Sequence, residues 1–317
     1  MMKIIGHRGN PDIATVYIAD FDGRLAEFVE SRQPPIPWER KWVLILSCSF
    51  GCPVNCAICD AGGDFRGHLS AEQIFAQADF LIRRRYRDGI VPVEKFKIQF
   101  ARMGEPALND EIFRAMELIS QHFSAPGLMF CVSTIAPRGC DEFFNAIAKK
   151  KDEFGGKFQL QFSIHSTNEN ERDFLMPIGK WSLEEIAQYG HRFWRKTDRK
   201  IGLNFAIAQG IEISPERIVQ IFSPDIFMIK ITPVNPTEKS VQNRILSAFA
   251  EIPDKHTVEI INKLKDCGFK VILSVGELEE NYIGSNCGQF VSQISANYAG
   301  FVERPYGKKY VLVESER

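Results

Sequence analysis

Apolar and polar positions alternate in short blocks along most of the chain. β-Branched and aromatic residues concentrate in the runs Trp42–Ser47, Lys95–Ala101, Leu128–Ser133, Phe158–Ile164, Ile201–Ile207, Ile226–Thr232 and Phe269–Val275, which predict strands. Helix-like stretches with readable ends lie between them. Ser70-Ala-Glu-Gln73 and Ser182-Leu-Glu-Glu185 are capping boxes, and Ser214-Pro215 sets an N-cap before a first-turn proline. Cys267-Gly268 puts glycine after a helix carrying Val258, Ile261 and Leu264. The order is strand then helix almost without a break, which predicts an α/β protein. Right-handed crossovers then give a parallel sheet or barrel with functional residues just after the strands, at their C-terminal ends. No internal repeat or low-complexity linker interrupts the pattern. Residues 1–41, ending in Pro34, Pro35 and Pro37, read as a small N-terminal addition to a body over 42–276, and 277–317 read as a C-terminal extension.

Composition narrows the class. The 317 residues carry 39 Lys+Arg against 40 Asp+Glu and are 44% hydrophobic, which excludes disorder, collagen-like repeats and coiled coil. The opening residues hold no apolar core of a signal peptide, and no run is long and apolar enough for a membrane span, so a cytoplasmic location is expected. A near-zero net charge argues against a surface that traps nucleic acid everywhere, while leaving room for a local basic patch. The candidate patches are Arg83-Arg84-Arg85-Tyr86-Arg87, the aromatic-interleaved His191-Arg-Phe-Trp-Arg-Lys196 with Arg199 and Lys200, and Lys308-Lys309 near Tyr310. Each can equally be a solvated helix face, and the first ends a helix, where cations complement the dipole.

The cysteines carry the chemistry. Of 8, Cys48, Cys52, Cys56 and Cys59 cluster, whereas Cys131, Cys140, Cys267 and Cys287 are scattered. In a reducing compartment such a cluster reads as metal binding or redox chemistry. Cys52-Pro-Val-Asn-Cys56-Ala-Ile-Cys59 follows the first predicted strand directly. Three thiolates can hold three irons of a [4Fe–4S] cluster and leave the fourth open. The alternative is a closed zinc site with Cys48, or less well His68, as fourth ligand. Position at a strand end favours the cluster. After the next strand stands Met103-Gly104-Glu105-Pro106-Ala-Leu-Asn109, where glycine permits close backbone approach and a carboxylate can accept from an ammonium, as an amino-acid moiety requires.

These features resemble the radical S-adenosylmethionine (SAM) superfamily, with Ile58 standing where the family usually has an aromatic. The resemblance implies a partial (β/α)6 barrel with short N- and C-terminal additions. It narrows with Val132-Ser133-Thr134, Phe162-Ser163-Ile164-His165-Ser-Thr-Asn168, Arg172-Asp173, Met176-Pro177-Ile178, Ile231-Thr-Pro-Val-Asn235-Pro236 and Asn286-Cys287-Gly288-Gln289-Phe290, in that order over roughly Trp42 to Val291. Together these look like the adenine methyltransferase branch, which methylates ring carbons of adenosine in ribosomal and transfer RNA.

Carried over by position, the resemblance implies SAM contacts at Gly104, Glu105, Ser133, Ser163, Ile164, His165 and Asn235, and cluster ligands Cys52, Cys56 and Cys59. Cys287 would carry the methyl group: its thiolate takes methyl from one SAM, and a radical from a second SAM removes hydrogen from the S-methyl group, so that carbon can add to an electron-poor ring. An electron donor such as flavodoxin or ferredoxin is implied, and RNA is the implied substrate. The branch's resolving cysteine falls at Ile45, so Cys48 is the candidate substitute, with Cys131 and Cys140 as alternatives. The branch's base carboxylate maps loosely to Glu27, with Glu30 possible. The ribosomal enzymes also carry a helical RNA-binding domain, whereas about forty residues precede the first predicted strand here. The alternative is therefore the same radical chemistry on a small molecule, peptide or nucleotide.

Overall fold

The computed structural model describes residues 1–249, 251–287, 290–291 and 313–314. Three strands open the chain: β1 (Met2–Asn10), β2 (Ala14–Phe21) and β3 (Arg24–Ser31). The strand-helix series follows as β4 (Lys41–Leu46), α1 (Ala71–Arg85), β5 (Lys95–Phe100), α2 (Glu111–His122), β6 (Leu128–Thr134), α3 (Asp141–Glu153) and β7 (Phe158–Ser163). It continues through α4 (Glu169–Leu175), α5 (Leu183–Phe193), β8 (Ile201–Ile207), α6 (Pro215–Ile221), β9 (Phe227–Pro233), α7 (Glu238–Gln242), α8 (Lys255–Asp266) and β10 (Lys270–Leu273). α9 (Leu278–Ile283) and β11 (Val313–Glu314) complete the described elements. All seven predicted strands are present as β4 to β10, and the capping boxes at Ser70 and Ser182 form as the sequence requires.

The chain divides into two compact units, residues 1–53 with 60–131 and 276–317, and residues 54–59 with 132–275. In the first, β1, β2, β3 and β4 pair antiparallel in succession, and β4 pairs parallel with β5. The three strands of residues 1–41 thus extend the body's sheet by hydrogen bonding. Trp42 and Phe96 stack at 4.8 Å between ring centroids and are fully buried.

In the second unit β7, β8, β9 and β10 are all parallel. Period-2 alternation divides their faces. Phe158, Leu160 and Phe162 of β7 and Phe227, Ile229 and Ile231 of β9 are buried. α5 packs on this side so closely that a Cβ on Gly190 would stand 2.2 Å from the Phe227 ring. Gln159, Gln161 and Ser163, with Met228, Lys230 and Thr232, occupy the other face and stay half-buried. On α8 the buried positions are Thr257, Ile260, Ile261 and Leu264, while Val258, expected inside, is exposed.

Candidate active site

The cluster loop begins where β4 ends at Leu46, before Ser47 and Cys48. The backbone turns there by necessity: Gly51 has φ +77, and a Cβ on it would lie 2.0 Å from the Asp64 carbonyl. Cys52 pairs with Gly62 in an isolated bridge, and the Cys59 N–H donates to the Cys56 carbonyl at 3.2 Å. Cys52, Cys56 and Cys59 are each half-buried, and none of the cysteines is in a disulfide. Among the described residues no three His, Cys, Asp or Glu side chains converge as ligands of a single ion. The fit to a cluster rests on the donor chemistry: three partly exposed thiols within eight residues of one loop would offer one soft sulfur to each of three irons.

The loop is fastened to the segment after β5. The Cys48 and Ser49 N–H groups donate to the Met103 carbonyl at 2.8 and 3.1 Å, and the Met103 N–H donates to Ser47 Oγ at 3.1 Å. Asn109 Nδ2 donates to the carbonyls of Cys48 (2.7 Å) and Leu69 (2.9 Å), closing the start and end of the cluster loop together. Gly104 has φ +98, with room for no side chain against Ser49 and Cys48. Glu105 is buried and caps the short turn Pro106–Leu108, accepting from the Ala107 N–H at 3.0 Å. Cys48, the candidate substitute thiol, is buried beneath this segment. Burial, then the charges of Glu105 and Cys52, push its pKa well above the usual thiol value, so it is a neutral thiol. Cys131 is buried within β6, and Cys140 precedes α3.

In the second unit, the N–H groups of Ile164 and His165 donate to the Asn204 carbonyl at 2.9 and 3.3 Å. His165 adopts φ +64, uncommon for a residue with a side chain, which turns the chain at the end of β7. Its Nδ1 accepts from the Ala206 N–H at 3.1 Å, leaving the proton on Nε2. Burial, and next the Arg172 charge, lower its pKa to about 4, so the ring is neutral. Ser133 Oγ accepts from Gln161 Nε2 at 3.4 Å. Asn235 lies two residues beyond the end of β9, its carbonyl accepting from Thr237 and Ser240 at the start of α7.

Cys287 sits in a turn after α9. That helix ends at Gly284 in the left-handed region, and a Cβ there would lie 2.5 Å from the Phe290 ring. The Cys287 side is exposed, and its carbonyl accepts from the N–H of Asp60, the residue after Cys59, at 3.4 Å. Gly288 and Gln289 lie outside the described residues. Glu27, the loosely matched base, is fully buried on β3, where one carboxylate oxygen accepts from Arg102 and the other from the N–H groups of Phe290 (2.8 Å) and Val291 (3.3 Å). Arg102 also donates to the carbonyls of Gly284 (2.7 Å) and Asn286. Arg8 donates to the Tyr282 carbonyl at 2.7 Å and lies over the Phe290 ring at 4.3 Å. Sequence reasoning missed Arg8 and Arg102, and it placed Asn109 in a motif without its carbonyl partners. Arg102 carried a signal, a charge directly before Met103-Gly104. A cleft beside this turn is lined by Phe50, Gly51, Asp60, Arg66, Met103 and Val291.

No protein-family model matches the chain. It is 26% identical over 281 residues to the ribosomal RNA large subunit methyltransferase N of Nitrosopumilus maritimus, covering 86% of this chain and 75% of that protein. It is 28% identical over 255 residues to the probable dual-specificity RNA methyltransferase RlmN of Desulfitobacterium hafniense, covering 78% of this chain and 67% of the other. Among solved structures, a radical SAM methyltransferase from Sphaerobacter thermophilus superposes with TM-score 0.67 at 20% identity, over 86% of this chain and 76% of that one. The chain is an enzyme that resembles these RNA methyltransferases, and it shares its fold with the radical SAM methyltransferase.

The expected α/β partial barrel of the radical SAM type is thus the fold observed. Part of each described basic stretch is engaged within the protein, while Arg84, Arg87, Arg192, Lys196 and Arg199 are exposed. Arg85 Nε and Nη2 donate to Glu30 Oε1 at 3.0 and 2.6 Å, Trp42 Nε1 donates to the same oxygen at 2.9 Å, and Arg83 pairs with Asp79. Glu30 thus accepts from both Arg85 and Trp42. Lys200 donates to the Pro224 carbonyl, and Arg195 to those of Arg192 and Trp194. Lys308, Lys309 and Tyr310 lie outside the described residues. No helix among the described residues is long and apolar enough to cross a membrane.

Proposed function

We propose that this protein methylates a ring carbon of adenine in RNA, with Cys287 as methyl carrier. The observation that carries the reading is the bond from the Asp60 N–H to the Cys287 carbonyl, which joins the turn bearing an exposed thiol to the residue following the last cluster cysteine. A [4Fe–4S] cluster held by Cys52, Cys56 and Cys59 would supply the electron that cleaves SAM, delivered by a flavodoxin- or ferredoxin-type donor. Gly104 leaves its backbone open to the SAM amino-acid moiety, and Glu105 accepts from the ammonium. Ser133, Ser163, Ile164, His165 and Asn235 receive the remainder of SAM. His165, neutral with its proton on Nε2, donates one hydrogen bond there and adds no positive charge against the sulfonium. The Cys287 thiolate attacks the SAM methyl group, forming a C–S bond as S-adenosylhomocysteine leaves, and so presents carbon to a ring that cannot itself act as a nucleophile.

The test is anaerobic turnover with reductant, methyl-deuterated SAM and transcribed ribosomal or transfer RNA, followed by mass spectrometry of the nucleosides. Labelled ring-methylated adenosine with wild-type protein, and none with Cys287→Ala, is the expected result. SAM cleavage with label in a small molecule or peptide and none in adenosine would overturn the RNA reading.

A further inference from the structure

One buried ion pair grips the Cys287 turn from both sides. Arg102 and Glu27 have side chains 1% and 0% exposed. Arg102 directs its planar fork of donors at Glu27 and at the carbonyls of Gly284 and Asn286, which precede Cys287. Glu27 gives its second oxygen to the N–H groups of Phe290 and Val291, which follow it. Carbonyl dipoles therefore face the guanidinium and amide dipoles face the carboxylate, so each charge is solvated by one arm of the turn. An ion pair taken fully out of water adds little net stability compared with apolar packing, so what this one provides is a fixed geometry.

The same pair reaches the rest of the site. Arg102 directly precedes Met103 and Gly104, and the Glu27 carbonyl accepts from Ser47 Oγ, which in turn accepts from the Met103 N–H. Val291, held by Glu27, forms part of the cleft wall shared with Phe50, Asp60 and Met103. Arg8 adds a support from β1 by capping the Tyr282 carbonyl and covering Phe290. Glu27 has both carboxylate oxygens committed, which suits it to holding the turn and not to accepting a proton from substrate.

We propose that Glu27 and Arg102 are positioning residues that fix the thiol of Cys287 relative to the segment holding SAM. This rests on the reading of Cys287 as methyl carrier. The N-terminal strands, on this account, serve as the platform for the methyl-carrying turn.

The experiment compares wild type with Arg102→Lys and Glu27→Gln. Lysine keeps the charge but lacks the fork, and glutamine keeps the shape but lacks the charge. Three readouts are taken: iron content with SAM binding by equilibrium dialysis, the rate of Cys287 methylation by peptide mass spectrometry, and hydrogen exchange of the peptide spanning Gly284 to Val291. Both variants are expected to keep iron and SAM binding, to exchange this peptide faster, and to methylate Cys287 slower by about tenfold or more. Wild-type rates of both methylation and exchange in the variants would overturn the proposal. If wild-type Cys287 is never methylated, the carrier reading has failed, and the grip is decided by exchange alone. Should neither variant fold, the wild-type protein decides: slow exchange at Phe290 and Val291, comparable with β2, supports the grip, and exchange as fast as an exposed loop contradicts it.

Discussion

Gly104 lies so close to Ser49 that a Cβ on it would stand 2.5 Å from the serine Oγ, and 2.8 Å from Cys48 Sγ. The segment proposed to hold the SAM amino-acid moiety and the start of the cluster loop are thereby packed backbone to side chain. With φ at +98, this position excludes any side chain on both steric and conformational grounds. Gly104→Ala is expected to lower stability by about 2–4 kcal/mol and to weaken SAM binding, measured by urea unfolding and by equilibrium dialysis. Unchanged values for both would show that Ser49 and Cys48 yield easily.

Cys48 and Cys287 should differ sharply as nucleophiles. Burial with the Glu105 and Cys52 charges holds Cys48 as a thiol, whereas Cys287 is exposed. Since only thiolate alkylates, native protein treated briefly with iodoacetamide at pH 8 should be modified at Cys287 and not at Cys48, with both modified after unfolding. Peptide mass spectrometry reads the outcome, and rapid native labelling of Cys48 would contradict the packing described.

His165 sets a pH dependence of known sign. Its folded pKa lies at about 4 against an ordinary 6.5, through burial and then Arg172. Between those values the unfolded chain holds a proton that the folded protein lacks, so stability rises with pH across the window, is complete above 6.5, and is lost as pH falls toward 4. The contribution amounts to about 3 kcal/mol at most. His165→Gln should flatten the stability profile between pH 4.5 and 6.5, and NMR of the wild type should show a ring still neutral at pH 5.5.

Arg85 should matter to the fold and not to RNA. It is 23% exposed, pairs with Glu30 and lies 4.8 Å over Trp38. Arg85→Ala is expected to cost about 1–2 kcal/mol in unfolding measurements while leaving the salt dependence of RNA binding unchanged. A shallower salt slope would mean that Arg85 meets phosphate.

The strand-helix series was legible because parallel strands buried under helices read as apolar runs between capped helices, and the loop with Cys52, Cys56 and Cys59 drew notice by the spacing of its thiols. The N-terminal strands were not. β1 carries Lys3, His7 and Arg8 among its glycines, and β3 buries Glu27, which local pattern marks as solvent-facing. Its burial depends on Arg102, 75 residues further along. For the same reason sequence pointed to Glu27 but not to its bonds with Phe290 and Val291, and Asn109 appeared as part of a motif without its carbonyl partners. Long-range polar pairing leaves no periodic trace.

If Cys287 carries the methyl group, its covalent state records the transfer. Protein purified anaerobically with its cluster is incubated with methyl-deuterated SAM, with and without reductant, and the peptide containing Cys287 is analysed by mass spectrometry. A labelled methyl on Cys287, and on no other cysteine, is the result expected, with its loss when reductant and RNA are both supplied. Reductive cleavage of SAM to 5′-deoxyadenosine by protein whose Cys287 stays unmethylated throughout would contradict the account.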